Sequence, residues 1–364
     1  MEMKNKEFWD ETGKVLLWIA LVVGGLSLFM NISTMTMEKN AAAPAAPTPT
    51  EQTSVIKILA AGSADYGTVA TSTSDYDAIF AGIKPVVANY ELAAYSQKSL
   101  IGTDTKEEFG TALTGLGFDM IGLANPSCLK SGKAGIDSSL AYWSAQDVSV
   151  SGTNASTDDQ NRIIVKTVQD ISYVYLSFTD QLSTDLPEAE NYLVNVYDEE
   201  RSPEIVAKAA QQADIVIVSI AWDGTDKEGP NDRQSTIAHE LADAGASVII
   251  GNAGDAIQPV EWIDDTLVFY SLGDLVSDQA GASTHLGAMG ALTVTKTTYQ
   301  DKKKIELIQP CVDLTVTVNE SPNFRVYMLN DASDAAVPNK SSVYSEYSAV
   351  LQKLDDSIRI GGLQ

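Results

Sequence analysis

From residue 55 onward, short uninterrupted apolar runs alternate with stretches whose apolar positions recur every three or four residues. The runs IKILAAG (56–62), VVANYEL (86–92), FDMIGLAN (118–125), ADIVIVSIAW (213–222), SVIIGN (247–252) and TLVFYSLGD (266–274) read as strands buried on both faces. Between them, residues 106–116 carry helical spacing. So do residues 202–212, with Ser202 as the expected N-cap, Pro203 at the first helical position and Glu204 behind it. A third helix is predicted over 231–244, stopped by Gly245. The segment IIVKTVQDISYVYLSFTD (163–180) reads as two strands joined by a turn at Gln169 and Asp170. Beyond Gly287, ALTVTK (291–296) and KIELIQP (304–310) continue the pattern as antiparallel strands, and 342–358 is helix-like. The sum predicts an α/β domain of layered mixed β-sheets flanked by helices.

Ahead of this domain the pattern changes. Residues 15–32 (VLLWIALVVGGLSLFMNI) contain neither a charge nor a polar stripe. As a helix this run is about 27 Å long, close to the thickness of a bilayer's hydrocarbon core. It exceeds the apolar core of a signal peptide, and the small residues at 41–43 lie well past it. The expectation is therefore one retained transmembrane helix. Lys4, Lys6 and Lys14 precede the run, and the first cation after it is Lys39. The positive-inside rule then places 1–14 in the cytoplasm and the bulk of the chain outside the cell membrane. Residues 33–54, rich in Ala, Pro and Thr, form a linker. The expected order is thus tail (1–14), anchor (15–32), linker (33–54), α/β domain (55–318) and C-terminal extension (319–364).

Charge narrows the partners. With 49 acidic against 24 basic residues the chain carries a net charge of −25, which repels nucleic acid. Cys128 and Cys311 sit in no CxxC or zinc-like spacing; they are two buried thiols or, outside the cytoplasm, one disulfide. His239 and His285 are the only histidines. No P-loop, HExxH or GxSxG occurs, and Ser127 has no matching histidine for a triad.

In α/β sheets functional groups gather at the carboxyl ends of strands. Those ends read Gly62-Ser63-Ala64-Asp65, Asn89-Tyr90-Glu91, Asn125-Pro126-Ser127, Ala221-Trp222-Asp223, Gly251-Asn252-Ala253-Gly254-Asp255 and Gly273-Asp274. Small, carboxamide and carboxylate residues there suit a binding site; they equally suit ordinary turns. Arg233, at a helix start, either faces such a site or makes a surface ion pair.

The segments NYEL, GFDMIGLANPSCLKSGKAGI, ADIVIVSIAW through GPNDRQ, LADAGASVIIGNAGDAIQPVEW and LVFYSLGDLVSDQ, in that order over 56–309, resemble the CapA family of capsule and poly-γ-glutamate synthesis proteins. That family is a branch of the calcineurin-like metallophosphatase superfamily. The resemblance implies a metallophosphatase-like α/β sandwich with metal ligands at five strand ends. The family's pattern is Gly-Asp after the first strand, Asn-x-Glu after the second, then Asn-Asn-His, a Ser-x-His-Trp-Gly type segment and Gly-His-His-Pro-His. Here Ser63 replaces the aspartate, Pro126 and Ser127 replace Asn-His after Asn125, and Ala221 replaces the histidine before Trp222. Asn252 and Asp255 replace the last histidines, while Asn89 and Glu91 read as retained.

Without imidazoles a His-rich metal pair is not expected. The reading is a pseudo-enzyme with no catalytic residues and no cofactor, acting beside membrane-bound proteins that make or export the polymer. The alternative is a metal-dependent phosphoesterase-type hydrolase with a rebuilt oxygen-ligand site. In it Asp65, Glu91, Asn125, Asp223, Asn252 and Asp255 would hold Ca²⁺ or Mg²⁺.

Overall fold

The computed structural model describes residues 50–65, 75–103, 105–223, 229–254, 256–277, 286–320 and 323–363. The expected anchor at 15–32 lies outside the described residues, as do Asp255 and His285. Among the described residues no helix is long and apolar enough to cross a membrane.

In chain order the elements are β1 (Gln52–Ala64), α1 (Tyr76–Phe80), α2 (Lys84–Val87), β2 (Leu92–Gln97), α3 (Glu107–Leu116), β3 (Met120–Gly122), α4 (Gly132–Ser144), β4 (Ser149–Ser151) and α5 (Thr157–Gln160). They continue with β5 (Lys166–Val168), β6 (Ile171–Thr179), α6 (Arg201–Ala210), β7 (Ile215–Ala221), α7 (Asp232–Asp243), β8 (Val248–Asn252), β9 (Val260–Ile263), β10 (Thr266–Phe269) and β11 (Asp274–Val276). The last are β12 (Leu286–Tyr299), β13 (Lys302–Glu320), β14 (Asn323–Met328), α8 (Lys340–Leu351) and β15 (Arg359–Ile360).

Among the described residues the strands form two sheets. One runs β14-β13-β12-β1-β2-β3-β4, with β11 also pairing β1 and β15 pairing β13; the other runs β5-β6-β7-β8-β10-β9. The period-two alternation of strand side chains explains how the sheets stack. In β1, Ile56, Ile58 and Ala60 enter a core shared with Ile215 and Ile217 of β7. Leu59 and Ala61 point the other way, onto Phe80 of α1, Phe109 and Leu113 of α3, and Trp143 of α4. In β7, Val216, Val218 and Ile220 face Val206 of α6 and Ile237 and Leu241 of α7. The layers are therefore helix, sheet, sheet, helix. Each such buried aliphatic side chain contributes about 1.5–3 kcal/mol, and burial on both faces is why these strands are uninterrupted apolar runs.

The mixed α/β sandwich expected from the sequence is what forms. The hairpin at Gln169 and Asp170 is present, with φ of 47° and 69° at the two turn positions, the left-handed pair that a two-residue hairpin requires. Helix α7 starts as expected: Asn231 and Gln234 form a reciprocal capping box.

Two local expectations are corrected. Helix α6 begins at Arg201, before Ser202, and it is the Asp198 carboxylate that accepts from the Glu200 and Arg201 N–H groups. The run 86–92 is not a strand. Pro85 opens the short helix α2, the Asn89 side chain donates to the Pro85 carbonyl at 2.8 Å, and the strand starts only at Leu92. Ile83 and Val87, four apart on one helical face, are the buried apolar residues there.

Residues set apart in the sequence as a C-terminal extension join the same body. Strand β13 crosses position 319 without a break, and Leu329, Leu351 and Ile358 enter the core between the sheets.

Candidate functional site

The carboxyl ends of β1, β2, β3, β7 and β8 open onto one cavity of about 390 Å³. Its lining includes Ser63 and Asp65 at the end of β1, Ser96 and Lys98 at the end of β2, Asn125 and Ser127 after β3, Ala221 and Trp222 at the end of β7, and Asn252 and Gly254 at the end of β8. Close backbone approach builds it. A Cβ on Gly62 would lie 2.0 Å from the Gly273 carbonyl oxygen, so only glycine lets β1 meet the turn that leads into β11. The Ser63 N–H then donates to Gly273 O at 3.0 Å, and Ser63 pairs in register with both Ser96 and Asp274.

Individual side chains are mostly committed. Buried Asn125 donates to the Gln97 carbonyl at 2.9 Å and accepts from the Ser127 N–H at 2.9 Å, tying the ends of β2 and β3 together. Ser63 Oγ donates to Asn252 Oδ1 at 3.3 Å. The Asn252 Nδ2, by contrast, is buried without a hydrogen-bond partner among the described residues. The Trp222 indole donates to the Tyr270 carbonyl at 2.9 Å and stacks on the Tyr270 ring, forming a wall. Cys128 also lines the cavity, but burial pushes its thiol up to about 11, so it is no ready nucleophile. Cys128 and Cys311 are both free and buried.

The most informative group is Lys98. Its ammonium lies 2.8 Å from the carboxylate of Asp274, whose side chain is 1 % exposed. Asp274 is among the strand-end residues the sequence singles out, but Lys98 is not, because the strand that delivers it is displaced from its expected place. With β2 ending at Gln97, it is Ser96 and Lys98, rather than Asn89 and Glu91, that stand at the carboxyl end of the second strand.

Asn89 and Glu91 lie at the opposite end of the sheet. The Glu91 carboxylate accepts from the Lys57 N–H at 2.7 Å. Lys57 precedes Ser63 on β1 by a distance of about 20 Å at strand rise. Their reading as retained site residues is thus corrected. Asp223 is exposed and absent from the lining; its carbonyl accepts from the Asn231 side chain at 2.9 Å. His239 sits on α7 with Nδ1 2.8 Å from Ser235 O. Arg233 makes ion pairs with Asp180 at 3.1 Å and Glu199 at 2.7 Å. The structure therefore brings together Ser63, Asp65, Asn125, Ser127, Ala221 and Asn252, and leaves Asn89, Glu91 and Asp223 apart.

This lining does not suit the metal pair of the family pattern. Hard divalent cations need several converging carboxylate or carbonyl oxygens, and transition-metal pairs need imidazole. Among the described residues no group of three or more His, Cys, Asp or Glu could hold a metal ion. The lining instead presents the Lys98 ammonium, the Asn252 amide donor and serine hydroxyls, with Asn125 already engaged.

Comparison with known proteins gives the following. A family model described as bacterial capsule synthesis protein PGA_cap matches residues 36–279. The PGA biosynthesis protein CapA of Bacillus subtilis (strain 168) is 28 % identical over 234 residues, 60 % of this chain and 62 % of that protein. The capsule biosynthesis protein CapA of Bacillus anthracis is 25 % identical over 197 residues, 52 % of this chain and 47 % of that protein. The chain thus spans about half to three-fifths of the length of the curated relatives it matches. A crystal structure of a hypothetical protein from Thermus thermophilus superposes with a TM-score of 0.42 at 11 % identity, covering 70 % of this chain and 99 % of that one.

Proposed function

The chain belongs to the PGA_cap family of bacterial capsule synthesis proteins, and from that premise we propose that it is a non-catalytic, membrane-anchored component of capsule or poly-γ-glutamate synthesis or export. The observation that carries the non-catalytic part is the Lys98–Asp274 pair. The ammonium neutralises the Asp274 carboxylate, so the described lining offers no net negative charge to the divalent cations on which family chemistry would depend. Ser63, Ala221 and Asn252 stand at ligand positions, and among the described residues no imidazole and no converging carboxylates replace what is missing.

Support for the anchor comes from the uncharged run 15–32 and the lysines before it. These favour a tail in the cytoplasm and the α/β sandwich outside the membrane. The acidic surface disfavours a direct grip on a polyanion, so the protein acts through membrane-bound synthase or export partners.

The test is genetic. Deleting the gene in its host should abolish or strongly reduce surface polymer, read as glutamate released by acid hydrolysis of the envelope. The full chain should restore it, and a chain lacking residues 1–49 should not. Unchanged polymer in the deletion strain would remove the proposed role; restoration by the shortened chain would remove the anchor.

A further inference from the structure

We propose that the cavity at the strand ends is a receptor for a singly charged carboxylate, held between the Lys98 ammonium and the Asn252 carboxamide; the inference rests on the metal-free reading of the same site.

Two independent features point to a ligand. Asn252 is 6 % exposed and lines the cavity, yet its Nδ2 has no acceptor among the described residues. A buried amide donor left unpaired is costly, and native structures rarely carry one without a reason. Its orientation is set, because Oδ1 is held by Ser63 Oγ. The second feature is Lys98, also in the lining, whose flexible stem is pinned by the buried Asp274. Ser63 links the two: it hydrogen-bonds Asn252 and is in register with Asp274. An ammonium and an amide N–H in one cavity match the two oxygens of a carboxylate through charge-assisted hydrogen bonds.

Charge balance selects the class. Among the described residues, Lys98 and Lys130 of the lining are offset by Asp65 and by Asp274 behind it, so the site is formally neutral in a chain of net charge −25. A phosphate dianion meets no excess of positive charge there, whereas a monovalent carboxylate adds only one charge beside two donors. The apolar parts of Leu100, Pro126 and Trp222 complete the walls and accommodate a short hydrocarbon chain.

The probe is butyrate, a singly charged carboxylate on a short hydrocarbon chain, titrated by calorimetry into the full chain in detergent after treatment with EDTA. Saturable binding is expected, unchanged by the chelator. Asn252→Asp keeps the acceptor for Ser63 but turns the donor into a carboxylate oxygen, and should weaken binding at least tenfold. Lys98→Met should weaken it at least as much; if that variant does not fold, Asn252→Asp decides alone, because it leaves the Lys98–Asp274 pair in place. Absence of saturable binding to the wild type overturns the proposal, as does unaltered affinity in Asn252→Asp or tighter binding of inorganic phosphate than of butyrate. Binding that appears only with added Mn²⁺ sinks this inference and the metal-free reading together. No butyrate binding by a metal-free protein sinks the inference alone.

Discussion

At the scale of single residues, the site is defined by what stands where ligands would be expected, and charge decides the outcome. Lys98 and Asp274 form a pair in which only the lysine reaches solvent. Removing one partner of a buried pair leaves an uncompensated charge, a loss of about 3–5 kcal/mol. Lys98→Met should therefore lower the urea-unfolding free energy by about 3 kcal/mol, and the double variant with Asp274→Asn should recover most of it. A full loss in the double variant would show that the pair is not the cause.

Asp119, at the other end of β3, supplies a pH signature. Burial, the largest influence, raises its carboxyl to about 6, against the lowering effects of the Ala93 N–H and Lys166. Between its ordinary value of 3.8 and about 6, the folded protein keeps a proton that the unfolded chain has released, so stability falls as pH rises through that window. Above it the penalty is complete, about 3 kcal/mol at most. Asp119→Asn keeps the acceptor for Ala93. It should match the wild type near pH 4 and exceed it in Tm at pH 7.5. A difference that does not change with pH would contradict this account.

At the scale of elements, legibility followed burial. Strands β1, β7, β8 and β10 are buried on both faces and announce themselves as apolar runs. Strand β2 is buried just as fully but is written LAAYSQ, with small and polar residues, so the neighbouring valines at 86 and 87 carry the stronger strand signal. That displacement moves the strand end, and with it the site: Asn89 and Glu91 read as candidates while Ser96 and Lys98 do not. Helix α4 contains two glycines and has a weak signal because glycine disfavours helices; Ile136 and Trp143, both buried, hold it in place. The three-residue β4 is largely polar and exists through its pairing with β3. Capping was not legible: Ser202, the one N-cap read from the sequence, lies inside α6, and the Asn231–Gln234 box shows only in the structure. Asn231→Ala breaks the α7 capping box and should cost about 1 kcal/mol in chemical denaturation. A change below a few tenths would mean that tertiary packing alone fixes that helix start.

At the scale of the whole molecule, two stacked sheets with helices outside bring five strand ends to one cavity. The fold depends on apolar alternation, which tolerates any residue at the strand tips. A metal centre depends on the tips themselves, where Ser63, Lys98, Ala221 and Asn252 stand among the described lining residues. The same separation explains why the resemblance carried the fold and the family across while leaving the chemistry open. The direct test is metal stoichiometry: elemental analysis of the purified full chain, followed by calorimetric titration with Mn²⁺, Zn²⁺, Ca²⁺ and Mg²⁺. The account predicts far less than one ion per chain and no tight binding of any of the four. Tight binding of two ions per chain, with metal-dependent phosphoesterase turnover, would contradict it.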